Sequence, residues 1–167
     1  IYYSSIQCRS RRMPFFTASN INRDSWLQNG REGTFVPDKR IGKNDQLSTS
    51  IYTQLNKKTT IKNKKVDKVH LTRREDVQWD IKNDPTKAVE AAKATFFYSN
   101  ACPQHHELNN EIWKYLENSV LRRGHSRKPL KAVVFTGPIF SNSDPLLVFP
   151  EGVSHLIQCP NRFWKLI

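Results

Sequence analysis

Asp67-Lys68-Val69-His70-Leu71, followed thirty residues later by Asn100-Ala101-Cys102-Pro103-Gln104 and then Leu108-Asn109, is the stretch that decides how this chain is read. It supplies one imidazole able to take a proton from water near neutral pH. It also supplies a carboxamide, Asn109, whose oxygen suits a hard cation. Hydrolysis of a phosphodiester needs an activated water, relief of charge on the phosphoryl group and help for the departing oxygen. His70 offers the first, and Mg²⁺ the electrostatic part. Mg²⁺ keeps several of its own waters, so one protein oxygen is enough to hold it. Glu117 lies about 12 Å of helical rise beyond Asn109, roughly two turns on, so the two point loosely the same way. Side chains lean toward a helix N-terminus, which brings Glu117 back toward water around the cation.

Plainer readings stand beside these. His70 also fits a satisfied structural histidine, Asn109 a helix cap, and Glu117 an exposed helix carboxylate paired with Arg122 or Arg123. Asp67 either caps a turn or orients the imidazole by accepting a proton from its far nitrogen. Lys68 and Arg73 or Arg74 are placed to neutralise a phosphate, the lysine as a point charge without an arginine's fork. His105-His106 invites a zinc reading, but no partner set in the sequence completes it.

Outward from this stretch, Met13 to Ala18 has strand character, and Asn20 to Gly33 is polar and broken by glycines. Gln46 to Leu55 forms a short helix. The six lysines between Lys57 and Lys68 read as a solvated loop. A helix is expected over Pro85–Ala94, with Pro85 as first residue and Asp84 as cap. Thr95 to Ser99 is β-rich and expected to be a central strand that Asn100 and Pro103 bring to an end. From about Asn109 to Leu121, Ile112, Leu116 and Val120 recur every four residues and mark an amphipathic helix, closed by Gly124 and Pro129. Lys131 to Thr136 is a further strand turned by Gly137-Pro138. Leu146 to Phe149 and Phe163 to Ile167 are the last two. Strands before and after helices without a βαβ rhythm predict an α+β domain with a mixed, largely antiparallel central sheet and helices packed on it.

Length and composition agree with one globular domain over 1–167. The 167 residues are 37% hydrophobic and 11% aromatic, enough for a sizeable core and unlike a disordered chain. Twenty-seven Lys and Arg against fifteen acidic residues give a formal charge of +12, which draws in polyanions. No stretch nears the roughly 20 apolar residues that span a bilayer. The opening Ile1-Tyr2-Tyr3, without a methionine, suggests a processed or excised product. Cys8, Cys102 and Cys159 allow at most one internal disulfide, and their spacing fits no compact zinc site.

At these residues the chain closely resembles the DNA/RNA non-specific endonucleases, ββα-metal nucleases with an Asp-Arg-Gly-His signature. Met13 to Ile21 looks like the family's first core strand, and Asp38-Lys39-Arg40-Ile41, with Gln46 and Tyr52, resembles the segment before the signature. Asp67 to Asp76 falls on the signature itself. Phe96 to Glu117 matches best, through Phe, Asn, Pro-Gln, Leu-Asn, Trp and Leu-Glu at the family's intervals. Val134 to Pro138 and Phe163-Trp164-Lys165 fall on two later strands.

The resemblance implies a ββα-metal motif. It makes His70 the general base, Asn109 the direct Mg²⁺ ligand (with Mn²⁺ able to substitute), Glu117 a carboxylate steadying metal-bound water, and Asn100 a support. It implies cleavage of DNA and RNA through backbone phosphates to 5′-phosphate and 3′-hydroxyl ends, with little base preference. Three departures stand out. Lys68 replaces the signature arginine, Val69 replaces its glycine, and Asn20 falls where some members place a phosphate-binding arginine. Lysine keeps the charge, so a slowed nuclease is expected; the alternative is a weakened or inactive homologue that only binds nucleic acid. The family usually continues past its Phe-Trp-Lys strand, so the end at Ile167 suggests truncation, leaving an edge for a companion C-terminal fragment or a homodimer to cover. A secreted or periplasmic setting is the preferred expectation, and the resemblance adds a mitochondrial one, since the family also has mitochondrial members.

Overall fold

The structure is a computed structural model that describes residues 1–27, 30, 33–55, 57, 59–80, 84–122, 131–149 and 156–167, with the backbone alone at 120–122. Its named strands form two antiparallel sheets rather than one. The first has the order β1-β2-β6-β7, from Tyr3–Cys8, Met13–Asn22, Lys131–Ile139 and Arg162–Leu166. The second has the order β3-β4-β5, from Thr60–Ile61, Lys64–His70 and Ala101–His105. The described helices are α1 (Thr49–Leu55), α2 (Pro85–Ala94), a π-helical segment (Leu108–Trp113) and α3 (Lys114–Arg122), which continues directly from that segment. One core joins these parts: Met13 of β2, Ile51, Tyr52 and Leu55 of α1, Val66 of β4, and Ala101 and Cys102 of β5.

From Thr60 onward the lysine-rich run is a β-hairpin and not a loop. Lys62 and Asn63 take φ of 47° and 64°, the left-handed pair that a two-residue hairpin turn requires. Lys64 onward therefore folds back against β3 as β4. α2 has the expected bounds, but the Asp84 carboxylate accepts from the Thr86 hydroxyl instead of capping a backbone N–H.

Thr95 to Ser99 is not a strand. Thr95 ends α2 with its N–H on Ala91 and Ala92, and Tyr98–Asn100 form a single 3-10 turn. The run is apolar because Phe96 and Tyr98 are buried core residues, 3% and 2% exposed. The strand starts one residue after the turn, and Pro103 lies inside it opposite Lys68. β5 is the edge of its sheet, so a missing N–H costs no ladder bond on the open side. Gly137-Pro138 likewise continues β6. Pairing with β2 stops at Thr17↔Thr136, and Pro138 pairs only toward Phe163 of β7. Leu146 and Val148 make only isolated bridges.

The four-residue apolar stripe also fails as a core face. Ile112, Tyr115 and Leu116 are 65%, 75% and 42% exposed, while Trp113 is buried. A π-helical turn is wider than an α-helical one, so the phase set by counting α-helical turns drifts before α3 starts. The helix docks through Trp113, which packs edge-on against Phe163 of β7. Val120, Gly124 and Pro129 carry expectations that lie outside the described side chains or residues.

Candidate active site

β4 and β5 run antiparallel with His70 opposite Ala101, and the chain leaves β5 into the π-helical segment. This strand–strand–helix unit carries most of the candidate residues. Side chains alternate along a strand, so Lys68 and His70 share one face of β4 while Asp67 and Val69 share the other. Val69 is an ordinary paired strand residue opposite Cys102 and lacks positive φ. No glycine-only conformation is needed there.

Asn100 fixes the turn after His70. It is fully buried; its carboxamide oxygen accepts from Thr72 N–H at 2.8 Å and its amide donates to the Thr72 and Thr95 carbonyls at 2.9 and 2.8 Å. Its backbone carbonyl takes the Leu71 N–H at 2.9 Å. The His70 ring lies 4.4 Å from the Phe35 centroid and 4.6 Å, edge-on, from Phe96. Gly33 supports Phe96: at φ +129°, a Cβ there would sit 2.6 Å from the ring.

His70, Lys68, Arg73, Asn109, Lys114 and Glu117 all line one open cleft of about 320 Å³. His70 and Asn109, on which the sequence reading turns, thus line the same cleft. A larger cavity of about 520 Å³, lined by Tyr3, Asp38 and Arg40, contains no histidine; volume alone does not choose the site. Asn20 does not line the cleft. It sits in β2 opposite Val133, and its amide donates to the Ile1 carbonyl at 2.8 Å.

Asp67 does not orient His70, from which strand alternation separates it. Its carboxylate lies 2.6 Å from Nδ1 of His106, and the amides of Asn110 and Asn109 approach it at 3.3 and 3.5 Å. Drawing the Asn109 amide toward Asp67 leaves the carboxamide oxygen as the end available to a cation. An oxygen-only donor with room for waters fits Mg²⁺. Among the described residues no group of three or more His, Cys, Asp or Glu is close enough to hold a metal; His106 is engaged with Asp67.

The cations are arranged differently from the expectation. Lys68 Nζ stands over three aromatic rings, 4.6 Å from Phe35, 5.4 Å from Tyr52 and 5.9 Å from Tyr98, and burial pushes its pKa down. Arg73 bonds Glu75 at 3.0 Å and Asn118 at 3.1 Å, with Glu117 at 3.8 Å. Arg74 bonds Glu75 and the Gly30 carbonyl at 2.9 and 2.8 Å. Each arginine is held by groups of the protein itself.

Glu117 pairs with Lys165 of β7 at 2.7 Å; the side chains of Arg122 and Arg123, its expected partners, lie outside the described residues. Lys165 is 3% exposed and lies 4.4 Å over the Trp113 ring. Behind them Asp76 is buried, and burial raises its pKa to about 7; Lys165 opposes that shift and Glu117 adds to it. The sequence reading missed Lys165 and Asp76. Only the alternation of β7, which sets Lys165 beside Phe163 and away from Trp164, hinted that this lysine faces inward.

A ββα unit whose cleft holds a histidine, an asparagine and an ion-paired glutamate, in a strongly basic α+β domain, is the architecture of a nuclease family. The chain belongs to the DNA/RNA non-specific endonucleases, whose family model matches residues 1–167. It is 29% identical over 142 residues to Nuclease 1, mitochondrial, of Schizosaccharomyces pombe, a match covering 83% of this chain and 38% of that protein. Its fold is similar to a chain in the crystal structure of the EndoG/EndoGI complex, with a TM-score of 0.66 and 19% identity over 98% of this chain and 63% of the other. The chain thus spans 38% and 63% of the lengths of these two relatives.

Proposed function

We propose that the cleft hydrolyses phosphodiester bonds of DNA and RNA, leaving 5′-phosphate and 3′-hydroxyl ends. The observation that carries this reading is the convergence of His70 and Asn109 on one cleft in a chain of net charge +12. His70 accepts the proton of the attacking water, its ring held in place by Phe35 and Phe96. Asn100 holds the turn that follows His70, and so the imidazole's position at the end of β4. Asn109 would hold Mg²⁺, or Mn²⁺ in its place, through the carboxamide oxygen; when bound, the ion would neutralise charge on the phosphate and the departing oxygen. Glu117, held by Lys165, brings a carboxylate to the lining of the same cleft. Contacts confined to backbone phosphates carry no base identity, which matches cleavage without sequence preference.

His70→Ala tests this. Supercoiled plasmid and RNA incubated with Mg²⁺ or Mn²⁺ should be cut by the wild-type protein. The variant should lose roughly 10²–10⁴ of that rate while still binding a DNA duplex. Wild-type protein that leaves both substrates intact across a broad pH range would sink the reading. A second reading, a homologue that binds nucleic acid without efficient cutting, is favoured by the committed state of Arg73, Arg74 and Lys68. It predicts tight binding with a wild-type rate no faster than that of His70→Ala.

A further inference from the structure

A phosphate track needs cations that a phosphate can reach. Four line the cleft: Lys68, Arg73, Arg74 and Lys114. Three are already engaged. The Lys68 ammonium sits among Phe35, Tyr52 and Tyr98. The Arg73 and Arg74 side chains are 24% and 12% exposed and share Glu75. Opening either pair would uncover Glu75, also in the cleft lining, to an incoming anion.

Lys114 differs on each count. It is exposed, and none of the ion pairs among the described residues involves it. It begins α3, five residues after Asn109. In an α-helix that spacing would turn the two side chains about 140° apart. The segment between them is π-helical, and its wider turn closes much of that angle. Asn109 and Lys114 therefore both line the cleft.

Building on the nuclease reading of the cleft, we propose that Lys114 is the residue that contacts a substrate phosphate flanking the scissile one, in the place the sequence would give to Arg73 and Arg74. A lysine there acts as a point charge on a phosphate oxygen and reads no base. It strengthens binding to any sequence alike.

The experiment uses His70→Ala as parent, so that binding is read without cleavage. Anisotropy of a short labelled DNA duplex is followed across a sodium chloride series. Loss of one phosphate contact lowers the slope of log K against log salt by about 0.9. Lys114→Gln in this parent should weaken binding several-fold at low salt and reduce the slope by that amount. Lys114→Arg, which keeps the charge, should hold the parent's slope. Lys87→Gln is the control: it removes an α2 lysine paired with Asp84 outside the cleft lining and should also hold it. An unchanged slope for Lys114→Gln, or an equal fall for Lys87→Gln, overturns the assignment. A parent that shows no salt-dependent binding overturns the nuclease reading of the cleft, and the role of Lys114 with it.

Discussion

Replacing Lys165 by methionine isolates the interaction that holds Glu117 at the cleft. Lys165 Nζ is 2.7 Å from the Glu117 carboxylate, and the side chains are 3% and 17% exposed. Both lie well below the exposure at which solvent screening reduces an ion pair to a few tenths of a kcal/mol. Removing Lys165 leaves the largely buried Glu117 with only the longer Arg73 contact at 3.8 Å, and breaking a buried pair in this way typically costs about 3–5 kcal/mol. The loss of the cation over the Trp113 ring at 4.4 Å falls within that figure and is not added to it. In a chain of this size each kcal/mol moves the midpoint by about 2–4 °C, so Lys165→Met should melt about 6–20 °C lower. Urea unfolding read by tryptophan fluorescence gives the free energy directly. Adding Glu117→Gln to Lys165→Met should recover a large part of the loss, because neither charge is then stranded. A single-variant loss below about 1 kcal/mol, the range of exposed pairs, would refute the claim that the pair is buried.

Other expectations follow from neighbouring residues. Asn100→Ala removes three side-chain hydrogen bonds from a fully buried site and should cost about 2–4 kcal/mol; a urea midpoint matching wild type would contradict the clamp. Gly33→Ala places a Cβ 2.6 Å from Phe96 at φ +129°, for about 1–3 kcal/mol of strain. It should also lower kcat by shifting the His70 ring, and full activity in a plasmid-cleavage assay would count against that contact. Asp76 has its pKa raised to about 7, chiefly by burial. A raised carboxyl pKa favours the native state at low pH, below the unfolded value near 4, and that contribution is lost as pH rises through about 7. Asp76→Asn should therefore gain on wild type between about pH 4 and pH 7 in urea unfolding and level off above that; parallel pH curves would rule this out.

The family was legible because its motifs rest on spacing along one ββα unit, the same unit whose short reach lets His70 and Asn109 line one cleft. Pro85 opened α2 for the same local reason. The misses arose where tertiary context decided. Thr95 to Ser99 is rich in strand formers, yet its rings are spent on the core and on His70. Ile112 and Leu116 kept α-helical spacing across a segment that is not α-helical. That Glu75 and Glu117 close on Arg73 and Arg74 is likewise a tertiary fact that no local pattern shows. Lys165 lay 48 residues from its partner, beyond any local pattern.

The three rings around Lys68 change what its departure from the family arginine means. An ammonium stands among Phe35, Tyr52 and Tyr98, and a guanidinium is a flat plate that stacks on such faces. Exchanging one for the other would keep the charge and change its shape and reach. Any cation put there inherits the same three aromatic partners, so the rings, as much as the side chain, set how that charge meets a ligand.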